Sequence, residues 1–123
     1  MKKELEQRLV KFTVAIAFIA DNLDDERSLS MHLINQIIRS STSCALNYGE
    51  AQSAESPRDF VHKLSVVLKE LRETLINLMI IEESSLCYEF EHLEKAIIEN
   101  NELISIFVKS VQTAKKKYEE GTR

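Results

Sequence analysis

Two glycines, at positions 49 and 121, and a single proline at 57 are the only strong backbone punctuation in this 123-residue chain. Tight hairpins and phosphate-cradling loops need residues that tolerate positive φ, so this scarcity argues against a β architecture and excludes a P-loop nucleotide site. Leu, Ile, Glu, Lys and Ala abound instead, which favours helix. The length suits one domain with a real hydrophobic core but not two, so residues 1–123 are read as a single unit.

Apolar spacing divides the chain into four helical segments. Leu5, Leu9, Phe12, Ile16, Ile19 and Leu23 step by four and three along one stripe, predicting a helix over 3–22. The polar run Asp21 to Arg27 follows, and its Asp side chains and Ser28 can accept hydrogen bonds from the amides that open a second helix, expected over 28–53. Its stripe is Leu29, Leu33, Ile37, Ser40 or Ser41, Cys44, Tyr48 and Ala51. The small residues Ser41, Cys44 and Ala45 mark a close helix–helix approach. Gly49, which costs a helix about 1 kcal/mol relative to Ala, hints at close packing as well.

Ser53 to Ser56 breaks the pattern, and Ser56-Pro57-Arg58-Asp59 reads as an N-cap Ser, a Pro at the first helical position and an acid at the third. The third helix, over 57–83, carries Phe60, Leu64, Val67, Leu71, Leu75 and Leu78, with Val61, Leu68, Met79 and Ile80 widening its apolar face towards a second buried surface. The fourth, over 88–118, carries Phe90, Leu93, Ile97, Ile104, Phe107, Val111 and Ala114. Asn100 takes a stripe position where a buried amide can fix register. Three short connectors join neighbours antiparallel, which gives an all-α, up-down-up-down four-helix bundle.

The run from Gln36 to Ala51 resembles the signature of the four-helix-bundle proteins found in ribosomal-RNA intervening sequences, mainly through Arg39-Ser40-Ser41 and Asn47 to Glu50. Phe60, Leu64, Lys69, Glu70 and Glu73 fall where that family carries an aromatic, an apolar residue and a Glu-bearing stretch. The resemblance spans nearly the whole chain. It implies a four-helix bundle assembled as a homo-oligomer, a homopentamer, and a likeness to the accessory protein of diversity-generating retroelements. That relative is a basic pentamer that contacts nucleic acid and a reverse transcriptase. The present chain is acidic, with 16 Lys and Arg against 20 Asp and Glu and a net charge of −4.

With that balance, any polyanion must be met by a local patch. The candidates are Lys109, Lys115, Lys116 and Lys117, with Arg123 beyond them, although cations also simply suit a helix C-terminus. Cys44 and Cys87 sit in apolar helical stretches as free thiols, as expected in a reducing cytoplasm. Glu4, Glu6, Arg8 and Lys11 interrupt any export-signal core, and no apolar run reaches the roughly 18 residues of a membrane span. Cytoplasmic residence, away from membranes, is the expectation.

Glu89 with His92, and Asp59 with His62, match the Glu-x-x-His spacing of di-iron bundles or offer a similar pair. Both lie near helix starts, where acids complement the macrodipole, so no metal or cofactor is expected. His32 has no nucleophile motif beside it, and no catalytic residue or small-molecule substrate is evident. Arg39, Asn47 and Glu50 recur near one face of the second helix, and Arg39 can pair with Glu50 or Glu73 at a helix or subunit seam. The expected function is a non-enzymatic, self-assembling binding or scaffold module, a homo-oligomeric ring. The alternatives are an RNA- or DNA-binding accessory protein working with a nucleic-acid enzyme, and a metal-dependent enzyme built on His62 and His92.

Overall fold

The structure, a computed structural model, describes residues 2–121; Arg123 lies outside them. It contains α1 (Lys2–Asp21), α2 (Ser28–Ala51), α3 (Pro57–Glu83) and α4 (Phe90–Gly121). Helix α1 packs on α2 and α4, and α3 packs on the same two neighbours, so the four stand at the corners of a square. The diagonal pairs keep their backbones apart and meet only through core side chains, as Tyr48 and Phe107 do edge to face at 5.6 Å. Neighbours joined by short connectors run antiparallel, which is the up-down-up-down bundle.

Leu9, Phe12, Ile16 and Ile19 of α1 are buried against Leu33, Ile37, Cys44 and Tyr48 of α2, Leu64, Val67, Leu71 and Leu78 of α3, and Leu93, Leu103, Phe107 and Val111 of α4. Burying each large aliphatic side chain contributes about 2 kcal/mol before conformational entropy is charged against it. The stripes differ from expectation at three places, one being the fourth helix, where Leu103 rather than Ile104 is fully buried. Phe90 is exposed rather than in the core: the fourth helix begins with it, and the buried stripe starts three residues later at Leu93. Leu75 is half-buried, and Thr74 takes the core position instead.

Polar groups tie each of the four seams. Thr13 Oγ1 donates to Ser41 O at 3.0 Å between α1 and α2. Ser40 and Thr74 hydroxyls meet at 2.7 Å between α2 and α3. The buried Asn100 Nδ2 donates to Leu71 O at 2.9 Å between α4 and α3, the register contact expected of it. The α1–α4 seam, the thinnest of the four, is held by Arg8, which donates two hydrogen bonds of 2.7 Å to Glu99 and one of 2.9 Å to Glu102.

The connectors explain the helix ends. Ser56 Oγ accepts from Asp59 N at 3.0 Å with Pro57 at the first helical position, as the sequence signals. At α2, by contrast, the capping residue is Arg27 with no side-chain cap, and Ser28 is already helical; Asp24 Oδ1 accepts from Glu26 N inside the connector instead. The fourth helix starts at 90 rather than 88 and runs to 121 rather than 118. Its delayed start follows from Leu23 and Cys87 forming a β-bridge in which Asp24 N donates to Leu86 O and Tyr88 N to Asn22 O. Just before it, Ser85 takes φ 52, with Ser85 N donating to Glu82 O and Leu86 N to Ile81 O, a Schellman ending that glycine usually serves. The second helix stops at Ala51 rather than 53.

Gly49 does not mark a close approach: a Cβ built there meets nothing within 4 Å. Its backbone is helical and its φ is not positive, so alanine would add helix propensity without a clash. Gly49→Ala is expected to raise stability by about 1 kcal/mol, read as a higher midpoint in chemical denaturation at unchanged slope.

Candidate functional site

The polar residues singled out by sequence do not form one network. Arg39, exposed on α2, reaches across to α3 and places Nη1 3.5 Å from Glu70 Oε2 and Nη2 3.3 Å from Glu73 Oε2. Glu50 lies eleven residues further along, about 16 Å down the helix, and pairs with Lys63 at 3.3 Å rather than with Arg39. Asn47 turns back on its own helix, donating to Ser43 O and Ser43 Oγ. The α2–α3 seam therefore carries three ion pairs in two separate groups, and the rise of the helix decides which partners can meet.

Glu70 is the residue that spacing alone undervalues. It is only 6% exposed. Burial pushes its carboxyl above the ordinary range, the neighbouring Glu73 adds to this, and Arg39 and Lys69 only partly offset it. The same burial, with the Glu70 charge behind it, pushes the Cys44 thiol up to about 12. Cys44 is thus a small packing residue, protonated at neutral pH, rather than a nucleophile. Across the bundle, hydrogen bonds from Arg8 hold Glu99 below the usual carboxylate range.

The candidate lysines are all exposed on α4, yet they do not share a face. Consecutive residues of a helix point about 100° apart, so Lys115, Lys116 and Lys117 splay around the axis, and Lys109, two turns before Lys116, shares the side of Lys116 alone. Lys115 alone joins Lys69, Arg72, Arg39 and Gln36 in lining an open groove that passes over the outer side of α3, with Ile76 between them. Lys117 lines a different hollow, with Phe60 and Tyr118 at the α2–α3 connector end. Lys69 and Arg72 could have been found from sequence only by knowing which face of α3 lies next to α4.

The carboxylate–imidazole pairs stay apart for a topological reason. Residues 59 and 62 open α3 and residues 89 and 92 flank the start of α4, and antiparallel neighbours begin at opposite ends of the bundle. His92 is exposed, with Nδ1 3.5 Å from Glu89 Oε2 and its ring 4.6 Å from that of Phe18. Among the described residues no group of three His, Cys, Asp or Glu comes close enough together to hold a metal ion. Cys44 and Cys87 are free thiols, and no described helix is long and apolar enough to cross a membrane.

A family model described as 23S rRNA-intervening sequence protein matches residues 2–109. Among solved structures, the chain is similar to a protein with unknown function from the S23 ribosomal protein family of Bacteroides thetaiotaomicron. The two share 27% identity with a TM-score of 0.75, over 91% of this chain and 99% of that one. No curated protein matches the chain.

A raised carboxyl in the folded state means that folding binds a proton more tightly than the unfolded chain does. The Glu70 contribution is therefore most favourable below the unfolded carboxylate range and is lost as pH rises through the folded value. Glu70→Gln is expected to weaken this fall in stability with rising pH, leaving the acid side to the opposite effect of Glu99. Denaturant midpoints of both proteins across that range check it, and parallel pH profiles would contradict it.

Proposed function

The chain belongs to the 23S rRNA-intervening sequence protein family, and on that premise we propose that it is a non-enzymatic, self-assembling binding module of the cytoplasm, a homo-oligomeric ring of four-helix bundles. The family resemblance points to five copies. What carries the reading is apolar surface that the protomer leaves uncovered at regular spacing. Val10, Val14 and Phe18 are exposed along α1, Met31 and Ile38 along α2, and Ile76, Met79 and Ile80 along α3. Scattered apolar side chains are ordinary on a surface, but ridges repeated on helix faces are what an interface looks like before its partner is added. Val61 and Leu68, expected in that wider face of the third helix, are partly buried in the protomer's own core, which moves the free surface to the C-terminal half of α3.

A ring presents the same polar surface several times over, so modest contacts to a partner are multiplied by avidity. Light scattering on a size-exclusion column tests the reading. The native mass is expected at a multiple of the 14.2 kDa protomer, five-fold for a pentamer, and a mass of one protomer would overturn it.

A second reading, contact with RNA or DNA as an accessory protein, is favoured by the cluster of Lys69, Arg72 and Lys115 at the groove over α3. Phosphate contacts release counterions, so binding is expected to weaken steeply with salt. The triple change Lys69→Glu, Arg72→Glu and Lys115→Glu is expected to abolish it, as read by titration of a labelled RNA duplex. Binding that survives the change would remove this surface from consideration.

A further inference from the structure

We propose that the groove over α3 holds an extended, acidic peptide segment of a partner protein; this rests on the binding-module reading and names the partner's chemistry. The residue that singles the groove out is Asn77. It is only 8% exposed, yet its side-chain amide makes no hydrogen bond with any described residue. Unlike the sealed Oδ1 of Asn100, this amide still opens onto the groove that it lines. A polar group so far removed from water ordinarily has a partner, and the groove is where a partner can reach it. Across the seam Gln36 of α2 lines the same groove, half-buried and also without a hydrogen bond from its side chain.

A primary amide offers a carbonyl and an NH2, which together match the N–H and C=O of a peptide main chain. A bare anion satisfies only the donor half. The charges set what lies on either side of that contact. Lys69 and Arg72 of α3 and Lys115 of α4 are exposed, line the groove and have no carboxylate within 4 Å among the described residues, whereas Arg39 is taken up by Glu70 and Glu73. Unpaired cations gathered on a chain of net charge −4 are a local exception, and aspartate or glutamate side chains complement them. Leu68 and Val111 supply apolar lining, which shelters a carbon side chain and gives nothing to a phosphate. No aromatic residue lines the groove, so a nucleobase has nothing to stack on. The dimensions suit a strand-like segment in a space of about 760 Å³. From Ser65 to Asn77 the helix rises about 18 Å, which about five or six extended residues span.

Panning a phage-displayed library of random twelve-residue peptides against the full chain tests this. The enriched sequences are expected to carry Asp or Glu around an apolar residue, and a fluorescein-labelled copy of the most enriched one is expected to bind the wild type. The triple change Lys69→Glu, Arg72→Glu and Lys115→Glu is expected to weaken that binding by about tenfold or more, with Gln at the same positions if circular dichroism shows lost helix. Asn77→Ala is expected to weaken it by about tenfold with no loss of stability in denaturation, because the amide has no partner in the free protein. No enrichment, enrichment without acids, or an affinity that holds in either variant overturns the assignment. A labelled RNA duplex that binds the wild type and is released by the triple change, with no peptide enriched, overturns it in favour of the nucleic-acid reading. None of these changes touches the exposed apolar residues, so native mass separates this groove from the ring. A wild type of one protomer's mass that still binds the peptide overturns the ring and supports the groove, whose lining comes from a single chain.

Discussion

At the middle of the bundle α2 and α3 meet through two hydroxyls, Ser40 and Thr74, 2.7 Å apart and sealed from water. Each hydroxyl also reaches a carbonyl of its own helix, Thr74 to Glu70 O at 2.8 Å and Ser40 to Ile37 O at 3.4 Å, so the pair is anchored on both sides. The bond itself contributes only about 1 kcal/mol. Its geometric demand is larger, since two short side chains can touch only if the helix axes come close. The small residues of α2 allow that approach, with Cys44 near enough to point its Sγ at Val67 O, 3.8 Å away. The most extensive seam of the fold is built around this contact, and Arg39, Glu70, Glu50 and Lys63 take their positions from it.

The remaining seams follow a similar logic with weaker means. A buried amide, a threonine hydroxyl and an arginine fork each bind one neighbouring pair, and each has a single register in which its partner is in reach. An apolar core of Leu and Ile can slide by a turn at little cost, whereas a polar group moved off its partner is left unsatisfied at a cost of roughly 1–3 kcal/mol. Asn100 shows the limit of this device, because its Nδ2 is bonded while its Oδ1 has no partner. The α1–α4 seam, with the fewest backbone approaches, depends most on the exposed face of its ion pair and opens into the groove beside Phe18.

Much of this was legible in the residue order, and the failures are specific. The stripes placed Leu9, Ile16, Ile37, Leu71 and Phe107 in the core, because period and polarity are local properties that a helix converts directly into a face. Phe90 was misplaced because a stripe cannot tell where its helix begins, and here a bridge from the opposite connector sets the start. Gly49 was misread because helical glycine has two explanations, close packing or tolerance, and only the space around it separates them. Glu50 shares sign and face with Glu73 as a partner for Arg39 but lies three turns along the same helix, a separation that the residue count already fixes, so Arg39 pairs across the seam with Glu70 and Glu73 instead.

The sequence by itself determined that the chain is helical, where its four helices run and which face of each is apolar. These follow from spacing, capping at Ser56 and Pro57, and the near absence of glycine and proline. Only the tertiary structure decided what lies across each seam: the burial of Glu70, the different grooves that Lys115 and Lys117 line, the opposite ends taken by His62 and His92, and the diagonal placement of α1 and α3. The physical reason is that a helix fixes the angle of every side chain about its own axis, but distances between axes depend on how four faces pack at once, and no local pattern carries that information.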